Sequence, residues 1–362
     1  MKPIRVLVVD DSVVIRKLLT QTLATDPAIE VAGTASNGKI ALAKIPQLNP
    51  ELLVLDVEMP EMDGLETLTQ LRKDWPRLPV IMFSTKTEKG AVATIEALTR
   101  GASDYVAKPS NVGNVVVAME RVRDALIPKI KALVPRGPRP APPPVAKPAP
   151  GQLASPKGPS STVALVAIGA STGGPNALTA ILPKIPADFP VPVVIVQHML
   201  AAFTRPFAER LAAQCRLRVV EPNQGDPVQQ GHIYIARGDY HLQVHRRGRD
   251  GFFTLNQAAP ENFCRPAVDV MFESVASSYG SSTLAVVLTG MGQDGFRGAK
   301  LIRQAGGNVI VQDEATSVVW GMPGIIAGAG LATQVLPLDQ VEAAIERLVG
   351  QGRGAPVKVA VR

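Results

Sequence analysis

The sequence predicts an α/β protein built from two doubly wound parallel-sheet domains, the second carrying an antiparallel β insertion. Three observations carry that expectation. Short apolar runs alternate with amphipathic stretches over residues 1–134, and strands separated by helices call for parallel pairing through crossovers. The same alternation returns over 161–350, and the 26 residues between, 135–160, hold 10 prolines. At 362 residues the chain also exceeds the length at which one hydrophobic core usually stops growing.

In the first domain the strands are IRVLVV (4–9), EVAGTA (30–35), ELLVLD (51–56), PVIMFS (79–84) and DYVA (104–107). Helices are expected between them, over about 14–24, 38–45, 64–74 and 88–99, with a last one near 112–126. The proline-rich run cannot bury enough apolar surface to offset its ordering, so 135–160 reads as an extended tether rather than a peptide ligand for an SH3-type module.

The second domain opens with VALVAIG (163–169), a helix begun by Pro175, VPVVIVQ (191–197), a helix over 203–214 and LRVVE (217–221). HIYIA (232–236), HLQVH (241–245) and FFTLN (252–256), punctuated by RGD and RRGRDG turns, read as the antiparallel insertion. A helix near 266–278, LAVVLTG (284–290), a helix near 295–304, NVIVQD (308–313) and a helix at 338–349 complete the domain. Residues 351–362 read as a tail.

Hydrophobic residues at 46% and charged residues at 19% describe a globular chain. No apolar run approaches a membrane span, and the opening MKPIRVLVVDD turns into a strand with acids instead of a secretory signal. Cys215 and Cys264 form no CxxC pair, which fits a reducing compartment and a cytoplasmic protein. The net charge of +7 divides into +1 over 1–134, +4 over the tether and +2 beyond it. Neither domain carries the single-sign excess of a nucleic-acid-binding module, so nucleic acid is not expected as a partner.

Ligands of open parallel sheets gather beyond the carboxyl ends of the strands. In the first domain those ends carry Asp10 and Asp11, Asp56, Ser84 with Thr85, and Lys108 followed by Pro109. A single acid there would be a helix cap, and Asp11 or Ser12 suits that role. Three carboxylates at one mouth attract a hard cation such as Mg2+. Asp56 is then the candidate nucleophile toward a phosphoryl donor, with Ser84 and Lys108 holding phosphoryl oxygens. Through VVDDS, LLVLDVEMPEMDGLE, VIMFST and GASDYVAKPS the segment resembles a response-regulator receiver, which has a flavodoxin-like fold. The resemblance implies phosphorylation at Asp56, Mg2+ held by Asp10, Asp11, Asp56 and the main-chain carbonyl of Glu58, and a histidine kinase as phosphodonor. It places the switch hydroxyl at Ser84 and a switch aromatic at Tyr105.

In the second domain the strand 163–169 runs into GASTGGP, which sets Ser171 on a glycine-rich turn before a helix, as in a nucleophile elbow. The strand 191–197 ends at His198, and the strand 284–290 leads into GMGQDG with Asp294. Nucleophile, base and carboxylate at three strand ends are what acyl transfer needs, and Gly290, Gly292 and Gly295 free backbone N–H groups for an oxyanion. Asp294 alone reads nearly as well as a cap, and Asp269 and Asp313 are weaker candidates for the acid. His232, His241 and His245 are competing bases assigned to the insertion. His241 and His245 stand about 13 Å apart along one strand face, too far to share a metal, and are read as surface or partly packed. A nucleotide site at GASTGG lacks GxGxxG, GxxxxGK[ST] and the acid that would hold a ribose.

IGASTGGP, VIVQHM, AAFTRPFAERL, HIYIA, GDYHL, RPAVDVMFESVA, VLTGMGQDG and WGMPG resemble the catalytic domain of chemotaxis protein-glutamate methylesterases across nearly all of 161–350. The resemblance implies nucleophile Ser171, base His198, third member Asp294 and an oxyanion at the Met291 main chain. It implies hydrolysis of glutamyl methyl esters on chemoreceptor coiled coils, deamidation of receptor glutamines, and no cofactor for the esterase. Leu200 and Arg237 depart from the family pattern, where proline is usual. The protein is expected to be a monomer without membrane insertion, with the receiver covering the triad until phosphorylation loosens it. Two other output classes compete: a binding module without chemistry, and a transcriptional regulator, which would need a helix-turn-helix layout.

Overall fold

A computed structural model describes residues 2–109, 115–136 and 162–351. Most of the tether, 137–160, and the tail residues 352–362 lie outside the described residues. The chain divides into two compact units, Met1–Ala141 and Pro142–Arg362.

The first unit runs β1 (Ile4–Val9), α1 (Val13–Leu23), β2 (Ile29–Ala35), α2 (Gly38–Leu48), β3 (Leu52–Asp56), α3 (Gly64–Asp74), β4 (Val80–Ser84), α4 (Glu88–Thr99), β5 (Asp104–Ala107) and α5 (Val115–Leu133). The strands form one parallel sheet in the order β2-β1-β3-β4-β5. Its interior strands are buried on both faces, which is why they read as unbroken Val, Ile and Leu. Ile4, Val6, Val8, Val54 and Phe83 pack on Leu19, Leu23, Val122, Leu126 and Ile130 of α1 and α5, each such side chain worth roughly 1.5–3 kcal/mol on burial. Helix α5 runs seven residues past its expected end and carries Pro128 inside it. Its apolar face continues at helical spacing through Leu126 and Ile130, both buried, and that packing outweighs the lost hydrogen bond.

The second unit runs β6 (Leu165–Ala170), α6 (Gly174–Ile181), β7 (Val193–Gln197), α7 (Ala201–Ala212), β8 (Arg218–Val220), β9 (His232–Ile235), β10 (His241–Arg247), β11 (Asp250–Asn256), α8 (Val268–Tyr279), β12 (Thr283–Val287), α9 (Phe296–Gln304), β13 (Asn308–Gln312), α10 (Met322–Gly328), β14 (Gln334–Leu336) and α11 (Leu338–Gly350). Seven strands form a parallel sheet in the order β14-β13-β12-β6-β7-β9-β8, and β10 with β11 forms a separate antiparallel hairpin. The hairpin is tied to α8, where Val244 N–H donates to Ser274 Oγ at 2.9 Å and Ser278 Oγ–H donates to Val244 O at 2.9 Å.

The sheet corrects the assignment of residues 232–236 to the insertion. β9 lies in the parallel sheet between β7 and β8, and Ile233, Tyr234, Ile235 and Ala236 are all buried, the pattern of a strand covered on both faces. The expected strand 284–290 stops at Val287, and Gly290 continues only as a bridge to Trp320. Strand β14 and helix α10 were not anticipated.

Candidate functional site

Each sheet has its switch point at its first strand. β1 lies between β2 and β3, and β6 lies between β12 and β7, so a crevice opens beyond the carboxyl end of each.

In the first unit Val9 pairs with Leu55, which puts Asp10 and Asp56 side by side at the next position. The Lys108 ammonium bridges them, 2.8 Å from Asp10 and 2.7 Å from Asp56. Burial, and then the charge on Asp10, push the Asp56 pKa up to about 6 against the pull of Lys108. Burial also opposes charge on Lys108, but hydrogen bonds to Asp10 and Asp56 prevail and raise its pKa. Asp11 is exposed, and the helix cap is Ser12, whose hydroxyl accepts from Ile15 N–H. Carboxylate oxygens of Asp10, Asp11 and Asp56 lie within 4.8 Å of one another. Two buried carboxylates beside an exposed third, with Asp56 resisting ionisation, fit a hard divalent cation. The Glu58 side chain turns to Lys89, 3.3 Å away. Ser84 donates to the Gly90 carbonyl at 3.1 Å, while the Thr85 and Thr87 hydroxyls pair at 3.0 Å. The Tyr105 ring is buried, with the Lys129 ammonium 5.4 Å from its centroid. Gly64 cannot be replaced without moving this loop, because a Cβ there would stand 2.1 Å from the Asp56 carbonyl.

In the second unit Ala170 pairs with Gln197, so Ser171 and His198 follow at adjacent strand ends. Ser171 sits on a turn closed by its own carbonyl, which accepts from Gly174 N–H at 2.7 Å, and Gly173 supplies the left-handed conformation (φ 78°) before α6. Gly290 lets the loop after β12 come against Ser171, since a Cβ there would meet the Ser171 Cβ at 2.8 Å. Met291 and Gly292 (φ 86°) follow on that loop.

His198 Nε2 lies 2.7 Å from Asp294. The same carboxylate accepts from the main-chain N–H groups of Val268 (2.6 Å), Asp269 (2.9 Å) and Gly295 (3.0 Å) and from Asn262 Nδ2 (3.0 Å). A carboxylate so surrounded by donors only accepts, which places the proton on Nε2 and leaves Nδ1 as the basic nitrogen. Burial would raise the Asp294 pKa, but His198 and these N–H groups outweigh it and hold it below the usual carboxylate range. Burial likewise disfavours charge on His198, and the hydrogen bond to Asp294, followed by Cys264, overcomes it and raises the imidazole pKa. Nδ1 faces Cys264 Sγ at 3.5 Å.

The other candidates go elsewhere. Asp269 accepts from Gly298 N–H at 2.7 Å and from Asn262, and burial, opposed by that Gly298 N–H, pushes it up to about 6. Asp313 accepts from Thr316. His241 is fully buried rather than at the surface, held between Ala259 O and Ala267 N–H. His245 meets Thr254 Oγ1 at 2.9 Å, and His232 meets Gln230 O at 2.9 Å. Cys264 and Asn262 were missed as site residues. The run ENFC directly before RPAVD is the available signal, whereas in the sequence Cys264 registers only through the absence of a CxxC pair.

The CheB methylesterase family matches residues 166–345, and the Response regulator receiver domain family matches residues 6–120. A protein-glutamate methylesterase/protein-glutamine glutaminase of Nocardioides sp. is 54% identical over 98% of this chain and 97% of its own length. The chain belongs to this family. A second member, from Trichodesmium erythraeum, is 49% identical over 97% of this chain and all of its own. The crystal structure of the Thermotoga maritima CheB methylesterase catalytic domain superposes with a TM-score of 0.51 at 42% identity, covering 52% of this chain and 100% of that domain. This methylesterase is therefore a hydrolase joined to a receiver domain. Among the described residues, no helix is long and apolar enough to cross a membrane.

Proposed function

We propose that the protein removes methyl groups from glutamyl esters of chemoreceptors and deamidates receptor glutamines, under control of phosphorylation at Asp56. The observation that carries the reading is the His198–Asp294 pair beside Ser171 at the switch point of the second sheet. Asp294 fixes the Nε2–H tautomer, so Nδ1 is the nitrogen that takes the Ser171 proton. In the resting protein that nitrogen rests against the Cys264 thiol, a weak contact that a serine hydroxyl displaces. Ser171 Oγ attacks the ester carbonyl, and the Met291 N–H binds the oxyanion. The imidazolium returns its proton to methoxide, releasing methanol, and water then cleaves the acyl-enzyme by the same path. An amide gives ammonia in the same way.

In the receiver, Asp10, Asp11, Asp56 and the Glu58 carbonyl would hold Mg2+, which supplies charge neutralisation at the acidic mouth. Asp56 accepts the phosphoryl group from a histidine kinase. Lys108 then moves from carboxylate to phosphoryl oxygen, Ser84 leaves the Gly90 carbonyl for another, and Tyr105 responds to that change. The units are proposed to run as residues 1–134, a tether over 135–160, the esterase over 161–350 and a tail over 351–362, in a cytoplasmic monomer.

The test is methanol release from a receptor fragment carrying radiolabelled glutamyl methyl esters. Ser171→Ala is expected to lower turnover about 10⁶-fold, the scale of serine-hydrolase knockouts. Retained turnover would assign the nucleophile elsewhere, Thr172 and Cys264 being the neighbours to examine.

A further inference from the structure

The loop that supplies Asn262 and Cys264 to the catalytic pair also carries Phe263. Glu261 and Cys264 exchange both main-chain hydrogen bonds, at 3.0 and 2.8 Å, around a two-residue turn. Both central residues are left-handed, Asn262 at φ 50° and Phe263 at φ 62°. Such turns favour Asn followed by Gly. Asn262 conforms, but a bulky side chain at the second position opposes folding. Burial does not compensate, because Phe263 is fully exposed at 103%. A side chain that is unfavourable in its backbone and gains nothing from solvent points to a contact formed only on binding.

The turn is anchored to the chemistry on both sides. Asn262 Nδ2 donates to Asp294 and Asp269 at 3.0 Å each, and Cys264 Sγ meets His198 Nδ1. Phe263 therefore keeps a fixed offset from the reacting atoms. Two more apolar side chains lie next to other members of the site. Leu200, 47% exposed, stands two positions after His198, and Val318, 40% exposed, packs where a Cβ on Gly173 would meet it at 2.7 Å, two positions after Ser171. Among the described residues of the second unit the remaining exposed large hydrophobics are Leu301 and Val335, on α9 and β14.

We propose that Phe263, Leu200 and Val318 form an apolar rim that seats the receptor segment flanking the esterified glutamate, with Phe263 as the anchor. The proposal rests on the esterase reading of Ser171, His198 and Asp294. A glutamyl methyl ester is uncharged, and its protein segment brings neighbouring side chains that an apolar rim can cover. The rim thus selects substrate by its surroundings and not by its reacting bond.

Phe263→Gly separates binding from folding because its two effects have opposite signs. Glycine relieves the left-handed strain, so the melting temperature of the full chain is expected to rise. Removal of the ring is expected to raise KM for the methylated receptor fragment roughly tenfold with kcat little changed. Leu200→Ser and Val318→Ser are expected to raise KM in the same direction by less. Equilibrium binding of the fragment to the S171A chain should weaken when Phe263→Gly is added. An unchanged KM and unchanged binding overturn the rim, and so does a fall in kcat at constant KM, which would make Phe263 a support of His198. If S171A itself still releases methanol, the assignment of Ser171 as nucleophile fails and the rim, placed around it, falls with it; if S171A is inactive and KM does not move, only the rim is lost.

Discussion

The two mouths share a topology and treat their carboxylates in opposite ways. Asp56 and Asp294 each lie beyond a switch-point strand or its neighbour, and each is buried beside a cationic or cationisable partner. Asp56 sits next to a second carboxylate and one shared lysine, and its pKa rises to about 6. Asp294 receives three main-chain N–H groups, an amide and an imidazole, and its pKa falls. A carboxylate buried beside a like charge, with fewer donors, is poised to react or to recruit a cation. One saturated with donors is held as a permanent anion that orients its neighbour.

The largest break in that comparison is Asp294→Asn. It removes the charge that fixes His198, and turnover is expected to fall about 10⁴-fold, as in other triads that lose this acid. The pH profile sharpens the test. Activity needs neutral His198, so in the native protein it rises with pH through the raised imidazole pKa; in the variant that limb should move to lower pH. Stability carries a second sign. The depressed Asp294 stabilises the fold above its unfolded pKa and loses that effect as pH falls through its lowered folded value, so the difference in melting temperature between the two proteins should shrink in acid.

Asp56→Asn tests the opposite case. Its folded pKa lies above the unfolded one, so the ionised carboxylate opposes folding at neutral pH, and the protonated form favours folding below about pH 4. The variant should therefore be more stable at pH 7, on the order of 1–2 kcal/mol once the lost Lys108 contact is counted, with the gain vanishing in acid. Phosphodonor stimulation of methanol release should disappear with it. Full stimulation in the variant would move the phosphoryl acceptor elsewhere.

What the sequence revealed follows from where each residue sits. Strand ends were readable because a buried parallel strand announces itself as a run of Val, Ile and Leu, and the residue after it is fixed at the mouth. Asp10, Asp56, Lys108, Ser171 and His198 are all of that kind. Strand β14 spans three residues with Val335 exposed, too short and too polar in context to register. β9 was misplaced because four short runs in succession look like hairpins, and only tertiary pairing shows that His232–Ile235 joins the large sheet. Asn262, Phe263 and Cys264 belong to a turn whose approach to His198 depends on α8 and the loop after β12, a relation no local pattern encodes. His241 shows the reverse case: a polar residue in an alternating strand reads as surface or partly packed, while its ring is fully buried and satisfies two main-chain groups in the interior.

The smallest effect isolates a single donor. Asn262 Nδ2 serves Asp294 and Asp269 together, and Asn262 is itself left-handed. Asn262→Gly removes the amide without straining the turn, and is expected to cost about 1 kcal/mol of stability. Asn262→Ala removes the same bond but keeps the left-handed Cβ that glycine lacks, so it is expected to be roughly 1 kcal/mol less stable than Asn262→Gly. Because the amide also lowers Asp269, whose pKa already stands near 6, both variants should raise that value further. Thermal unfolding at pH 7 and pH 5 measures the two terms separately: the strain is independent of pH, while the lost donor matters most where both carboxylates are ionised. If Asn262→Gly costs nothing at pH 7, the amide is not among the donors that keep Asp294 charged, and the contrast between the two mouths must rest on the main-chain N–H groups and His198 alone.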